Sequence, residues 1–131
     1  MRGYSVRPDI RLLHGFRLLL RNPDGPRLTA DRGFNDLVGH ALGEAVDWVV
    51  LPVERLPEGF LNLRSGMAGA TIQKFVNYRL RLAVIGRIDA ELAGSQALRS
   101  FVYETNRGTD CWFLDTMEEF EARLSAFSTP A

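Results

Sequence analysis

Apolar residues along this chain follow two different spacings, and the change from one to the other predicts the order of its strands and helices. Segments 10–13 and 16–21 flank the pair His14-Gly15, which is typical of a β-hairpin because glycine readily adopts a positive φ. Continuous apolar runs predict buried strands further along the chain. These runs lie at residues 48–51, 82–85 and 111–114.

Between the predicted strands, apolar positions recur at the spacing of one face of an α-helix. A cap at Asp31 or Asn35 is predicted to begin the first helix, which ends near Gly43. A second helix is predicted over 66–78, with Ser65 as its N-cap. The inward-facing residues of the first helix are Phe34, Leu37, Val38, Ala41 and Leu42.

Two further helices are predicted in the second half of the chain. Ser95 caps a helix that ends at Gly108, and Asp115 with Glu118 resembles a capping box at the start of the last helix. The connection 52–64 is longer than usual, and we expect a one-turn helix after Pro57.

The predicted order of elements is therefore ββαβαβαβα. Strands joined by helices pair in parallel, and the hairpin adds an antiparallel strand at one edge. We expect an α/β fold with a single mixed, mostly parallel sheet of about five strands and about four helices. A chain of 131 residues with 46% hydrophobic content fits one domain, 1–131, with an ordered core of about 5–127.

Composition narrows the class of protein. With 16 basic and 16 acidic side chains, no overall field attracts nucleic acid or an anionic membrane. No apolar run reaches the roughly 18 residues of a membrane helix, and the run around His14 and Arg17 lacks the pattern of a signal peptide. Cys111 is the only cysteine, which excludes an intrachain disulfide. We expect a cytoplasmic protein.

Ser65 is the strongest candidate for a site. At a helix start, followed by Gly66 and Gly69, it leaves backbone amides open to a bound anion or to a phosphate on the serine itself. A plain N-cap explains the same residue. Neither GxGxxG nor a Walker lysine pattern accompanies it, which argues against a nucleotide site.

Metal or catalytic chemistry is not indicated. His14 and His40 lie far apart in sequence, and Cys111 is expected in the core, so we predict no metal site, no cofactor and no catalytic residue.

Loop side chains supply the remaining candidates. Ligands of parallel sheets bind beyond the carboxyl ends of the strands, where the loops carry Arg64, Arg87 and Asp89. Glu104 and Asn106, near the end of the third helix, are further candidates for contact with a partner.

Two long segments carry a family resemblance. LRSGMAGATIQKFVNYRLRLAVIG (63–86) and ALRSFVYETNRG (97–108), with WFL after them, closely resemble a bacterial family of unknown function, the domain of unknown function 4180 family. Its typical pattern runs LKTGLAGEILQKFVNYRxKLAIVGDFS, then SLRDFIYESNKG. This chain has Arg87 where the family often has aspartate, and Asp89 near the family's serine. The resemblance implies no activity.

The element order and the helix start also resemble the anti-anti-sigma (STAS) fold. In that fold an Asp-Ser-Ser-Gly-Leu-Gly motif carries the phosphorylated serine, and Ser65-Gly66-Met67 occupies the place of its Ser-Gly-Leu part. Leu63 and Arg64 replace the aspartate and the first serine, and Ala68 is an insertion. The resemblance implies a STAS-like architecture and a serine that is phosphorylated.

These patterns lead to one expected function and two alternatives. We expect a non-enzymatic regulatory or protein-binding module of STAS-like type, switched by phosphorylation at Ser65 and acting on a protein partner. The first alternative is a small-ligand or enzyme domain that binds phosphate or a nucleotide at residues 65–69. The second is a homo-oligomeric scaffold joined through its edge hairpin.

Overall fold

The hairpin and the buried runs form one five-stranded sheet in the computed structural model, which describes residues 9–128. The strands lie side by side in chain order; β1 pairs antiparallel with β2, and the other neighbours are parallel. The expected mixed, mostly parallel α/β sheet is confirmed. The strands are β1 (Ile10–Leu13), β2 (Phe16–Leu20), β3 (Trp48–Pro52), β4 (Arg81–Ile85) and β5 (Cys111–Leu114).

The described residues form five α-helices, one more than predicted. The additional helix, α3, contains five residues and none of them is buried, so it has no apolar stripe that a sequence pattern could show. Residues 5–8 of the expected ordered core lie outside the described range. The helices are α1 (Arg32–Gly43), α2 (Met67–Asn77), α3 (Asp89–Ala93), α4 (Gln96–Arg107) and α5 (Met117–Ser128).

The two faces of the sheet are covered unequally. Side chains alternate between the faces along each strand, so Val49 and Leu82 point to one side while Trp48 and Ala83 point to the other. The first side packs against α1, α2 and α4, and the second packs against α5. Three helices therefore cover one face, and a single helix covers the other.

An aromatic cluster joins α5 to its face of the sheet. The rings of Trp48 and Trp112 are 4.5 Å apart, and Phe120 meets Trp48 edge-on at 5.4 Å. At the other end of α5, Phe127 stacks on Phe16 of β2 at 5.7 Å. Because α5 begins just after β5 and ends over the start of β2, it crosses the sheet diagonally.

One of the predicted helix caps is confirmed, and others are corrected. The Oγ of Ser95 accepts a hydrogen bond from the Leu98 amide at 3.0 Å, so the predicted cap of α4 is confirmed. The capping box of α5 lies one residue later than predicted. Its pair is Thr116 and Glu119: the Glu119 amide donates to Thr116 Oγ1 at 3.1 Å, and Glu119 Oε1 accepts from the Thr116 amide at 3.3 Å and from the Asp115 amide at 3.0 Å.

Other predictions near α1 and β3 are wrong. Asp31 precedes α1 but forms no side-chain cap bond; Thr29 Oγ1 instead accepts from the Gly33 amide at 2.8 Å. Leu42 is 45% exposed, because only the neighbouring positions of α1 reach the sheet. No helix follows Pro57; 3-10 turns flank that segment instead, at Val53–Arg55 and Leu63–Ser65.

Candidate functional site

Ser65 lies on the surface, immediately before the start of α2. Its Oγ accepts from the Met67 amide at 3.1 Å and lies within donating distance of two carbonyl oxygens, Asn62 at 2.8 Å and Gly59 at 3.0 Å. A serine hydroxyl carries a single proton, so the two carbonyls share it. The hydroxyl therefore ties the preceding loop to the first amide of α2.

Gly66, and not Ser65, is the capping residue of α2. Its φ is 73°, in the left-handed region that glycine adopts without strain, and its carbonyl accepts the first helical hydrogen bond, from Ala70 at 3.1 Å. The next amides, of Ala68 and Gly69, have no hydrogen-bond partner among the described residues. Ala68 is buried and Gly69 is exposed, so of the unpaired donors expected at a helix start the Gly69 amide is the accessible one.

The start of α2 borders a surface depression of about 240 Å³, which we call the Ser65 depression. Ser65 and Gly66 form one side, and Asp31, next to α1, and Lys74 of α2 also line it. The Nζ of Lys74 donates to Asn35 Oδ1 and so links the two helices. A phosphate on Ser65 has the Lys74 cation within the same depression, whereas Ala68 and Gly69 do not line it.

The other predicted rim residues do not join Ser65. Arg87 is paired with Asp89, whose Oδ2 accepts from Arg87 Nε at 2.8 Å and Nη2 at 2.7 Å. This hydrogen bond and the charge of Asp89 raise the pKa of Arg87. Arg64 is exposed, and neither Arg87 nor Asp89 lines the Ser65 depression. The surface predicted as one rim is therefore divided.

Asn106 directs its side chain onto β5. Its Oδ1 accepts from the Phe113 amide at 2.7 Å, and its Nδ2 donates to the Phe113 carbonyl at 3.1 Å. Phe113 belongs to an edge strand, so the amide takes the place of a neighbouring strand. Arg123 of α5 donates to the carbonyl of Asn106 and stacks 4.1 Å above the ring of Trp112. We call the two hydrogen bonds between the Asn106 side chain and the backbone of Phe113 the Asn106 bridge.

Glu104, two residues earlier, has different surroundings. Its carboxylate lies 3.5 Å from Arg107 Nη1, and both side chains are about two-thirds exposed. This pair is accessible to solvent and to a partner.

A cluster that sequence reasoning missed joins three elements. His40 of α1 lies between Arg21, whose Nη2 is 3.2 Å from the ring Nδ1, and Asp9, whose Oδ2 is 3.4 Å from Nε2. Since a guanidinium only donates, Nδ1 is the acceptor and Nε2 carries the proton. Both ring nitrogens are occupied, so this imidazole is not available as a base. No sequence signal relates residues so far apart.

A second depression, the edge groove, lies at the carboxyl ends of the strands on the α5 face and has a volume of about 370 Å³. Polar groups at its margin are Arg21, Glu54, Asp115 and Thr116. This is where ligands of parallel sheets bind, yet no residue of 64–69 lines it. Its apolar lining is formed by Leu20, Pro23, Val50, Pro52, Ile85 and Met117.

Residues 9–128 contain neither a metal site nor a helix that spans a membrane. No group of three His, Cys, Asp or Glu side chains is placed to hold a metal ion. Across the same residues, every helix is too short or too polar to cross a membrane.

Comparison with known proteins places the chain in a family. No curated protein and no solved structure matches it significantly. A family model described as a domain of unknown function (DUF4180) matches residues 14–124, from the hairpin turn into α5. The matched region includes Ser65, the lining of the edge groove and the Asn106 bridge. The resemblance stated from the sequence is confirmed, and the chain belongs to the DUF4180 family.

Proposed function

We propose that this chain is a non-enzymatic regulatory module that binds a protein partner through the Ser65 depression, and that phosphorylation of Ser65 switches the binding. The observation that carries the proposal is an exposed serine hydroxyl at a helix start, with the unpaired Gly69 amide in the first turn of that helix and Lys74 lining the same depression. The STAS-like order of elements before and after this serine supports the same assignment, as fold analogy.

A role for Ser65 as a catalytic nucleophile is not supported by its contacts. A serine nucleophile needs a base that accepts its proton, and the oxygens that face this hydroxyl belong to the backbone of Asn62 and Gly59. A phosphate acceptor for a separate kinase needs only accessibility, which the exposed position provides.

Phosphorylation changes this surface in two ways. It adds a charge of about −1.5 to −2, which the helix start stabilises by roughly 0.3–1 kcal/mol, so α2 remains intact. It also removes the proton that Ser65 shares between Asn62 and Gly59, while the backbone hydrogen bonds from Ser65 to Asn62 and from Asn62 to Gly59 remain. A partner therefore meets a different charge on a loop that keeps its backbone turns.

Capture experiments with matched variants test the proposal. Native protein, Ser65→Ala, Ser65→Glu and Ser100→Glu are immobilised and exposed to lysate of the host, and retained proteins are quantified. We expect a partner that binds Ser65→Ala as it binds the native protein. Its affinity for Ser65→Glu should be about tenfold weaker or tighter, a difference of about 1.4 kcal/mol in binding free energy. Ser100 is an exposed serine on α4, so Ser100→Glu adds the same charge elsewhere and leaves capture unchanged. Identical capture by all four proteins contradicts the proposal.

The unpaired amide of the exposed Gly69 also favours a second candidate, binding of a free phosphate group at this helix start. This function predicts that inorganic phosphate or a nucleotide raises the melting temperature of the unmodified protein and that Lys74→Gln removes the effect. A flat melting response together with a partner sensitive to Ser65→Glu separates the two candidates.

A further inference from the structure

The edge groove is a second site, separate from the Ser65 depression. α5 leaves it open because the helix runs from the end of β5 towards Phe16 at the start of β2. An α-helix is about 10 Å wide, whereas five strands span about 20 Å, so one diagonal helix cannot cover the ends of β2 and β3. The volume of about 370 Å³ lies within the range of small-molecule sites.

Two carboxylates flank the edge groove. Glu54 follows β3 and Asp115 follows β5, while β4 lies between these strands. The register aligns the last residues of the three strands, so the ends of β3 and β5 are about 10 Å apart. Both residues are exposed, and neither carboxylate forms a salt bridge or hydrogen bond with a described residue.

One guanidinium, that of Arg21, lines the edge groove together with the two carboxylates. Arg21 directs its Nη2 to His40, on the α1 side of the sheet, and Arg87 binds Asp89 through two nitrogens. The first amides at α5 are also occupied, because Glu119 Oε1 accepts from both Asp115 and Thr116. An anion would have to displace Glu119 and meet the two carboxylates, which outnumber the one guanidinium of the lining, so the edge groove disfavours anions.

The geometry points to a binding site for a small organic cation: a primary ammonium group between Glu54 and Asp115, carried on an apolar body that packs on Leu20, Val50 and Ile85. An ammonium has three donors and can address both carboxylates at once. The apolar lining adds burial that an inorganic cation cannot use. This assignment does not depend on the function proposed for Ser65.

Three probes of similar shape test the assignment by amide NMR titration of the full chain. They are phenethylammonium, neutral 2-phenylethanol and anionic 3-phenylpropionate. We expect phenethylammonium to shift the amides of Ile85, Gly86 and Thr116 and to bind about tenfold or more tightly than the alcohol, with weaker binding at high salt. We expect the propionate to leave these amides unchanged.

Matched variants assign the effect to the groove. Glu54→Gln removes one carboxylate outside any α-helix, and we expect it to weaken phenethylammonium binding about fivefold. Glu58→Gln makes the same change at an exposed residue that does not line the edge groove and should have no effect. Ser65→Ala should bind the amine like the native protein, so failure here is distinguishable from failure of the proposed function.

Several outcomes overturn the assignment. Equal binding of amine and alcohol indicates an apolar groove without selection for charge. Tighter binding of the propionate indicates the opposite charge preference. Unchanged amine affinity in Glu54→Gln, or no amide shift up to about 10 mM amine, removes the site itself.

Discussion

Asn106 shows how a single side chain can complete an edge of a sheet. Its amide pairs with both backbone groups of Phe113, as a neighbouring strand would, and it is only partly exposed. The sequence marked Asn106 as a partner contact because a polar residue near a helix end usually faces solvent. Its orientation depends on where β5 lies relative to α4, which no local pattern contains.

Replacing Asn106 should therefore cost stability. We expect Asn106→Ala to lower the free energy of unfolding by about 2–3 kcal/mol. Two hydrogen bonds are lost, and the backbone amide and carbonyl of Phe113 are left without these partners while still partly buried. The matched control is Asn77→Ala, an exposed residue whose side chain accepts one hydrogen bond from Gln73. Urea denaturation measures both. Equal losses in the two variants contradict the structural role.

Cys111 gives a prediction about pH. Burial raises the pKa of its thiol, and the charge of Asp110 raises it further. The unfolded thiol has a pKa of about 8.5, so above this pH the unfolded chain loses a proton that the folded protein keeps. The stability that the protonated Cys111 thiol contributes is thus complete below about pH 8.5. It is lost as the pH rises further, by up to about 1.4 kcal/mol of unfolding free energy per pH unit.

Comparing native protein with Cys111→Ala isolates this contribution. Between pH 7.5 and pH 10, we expect the unfolding free energy of the native protein to fall by about 2 kcal/mol more than that of the variant. The absolute cost of the substitution cancels because each protein is compared with itself. Parallel declines indicate that the thiol does not contribute.

At the scale of elements, the start of α2 shows why helix ends are hard to place from sequence. Ser65 and Gly66 each carry a signal for a helix start, and both contribute: the serine through its hydroxyl, the glycine through its left-handed backbone. A sequence cannot tell which of two adjacent signals holds the capping position. For the same reason, the capping box of α5 was predicted one residue too early.

Two glycines of this segment provide a matched test. Gly66 has a φ of 73°, so Gly66→Ala should lower the unfolding free energy by about 1 kcal/mol or more. Gly69 lies within α2, where an added Cβ meets nothing within 4 Å, so Gly69→Ala should raise it by about 0.5–1 kcal/mol. Thermal or urea unfolding measures both signs. Equal effects contradict the assigned cap.

At the scale of the molecule, the sequence predicted the order of elements except for the short helix α3, and it did not predict the two separate depressions. Strand and helix periods depend on neighbouring residues, and these were read correctly for the hairpin and for the buried runs. The division of the rim depends on which face each helix covers. Ser65 follows a turn on the side of α1 and α2, whereas Asp115 leads into α5 on the opposite side.

The single helix on one face makes Phe120 more important than its counterparts opposite. Phe120 has no exposed surface and contacts both tryptophans, so Phe120→Ala should lower the unfolding free energy by about 3–5 kcal/mol and shift tryptophan emission to the red. Phe101→Ala, at a half-buried position of α4, should cost less and leave emission unchanged. Fluorescence-detected denaturation separates these outcomes, and similar emission changes contradict the predicted role of α5.

The Asn106 bridge also limits polymerisation of this molecule. At the opposite border of the sheet, formed by β1, the backbone hydrogen-bonding groups of residues 9, 11 and 13 face β2. The amides of Ile10 and Leu12 therefore point outward and have no described partner. When two copies pair through their β1 strands, this border is no longer available. The outer borders of the pair are then both formed by β5, which carries the Asn106 bridge. Such growth terminates at two copies, and a continuous fibril requires that the bridge first be broken.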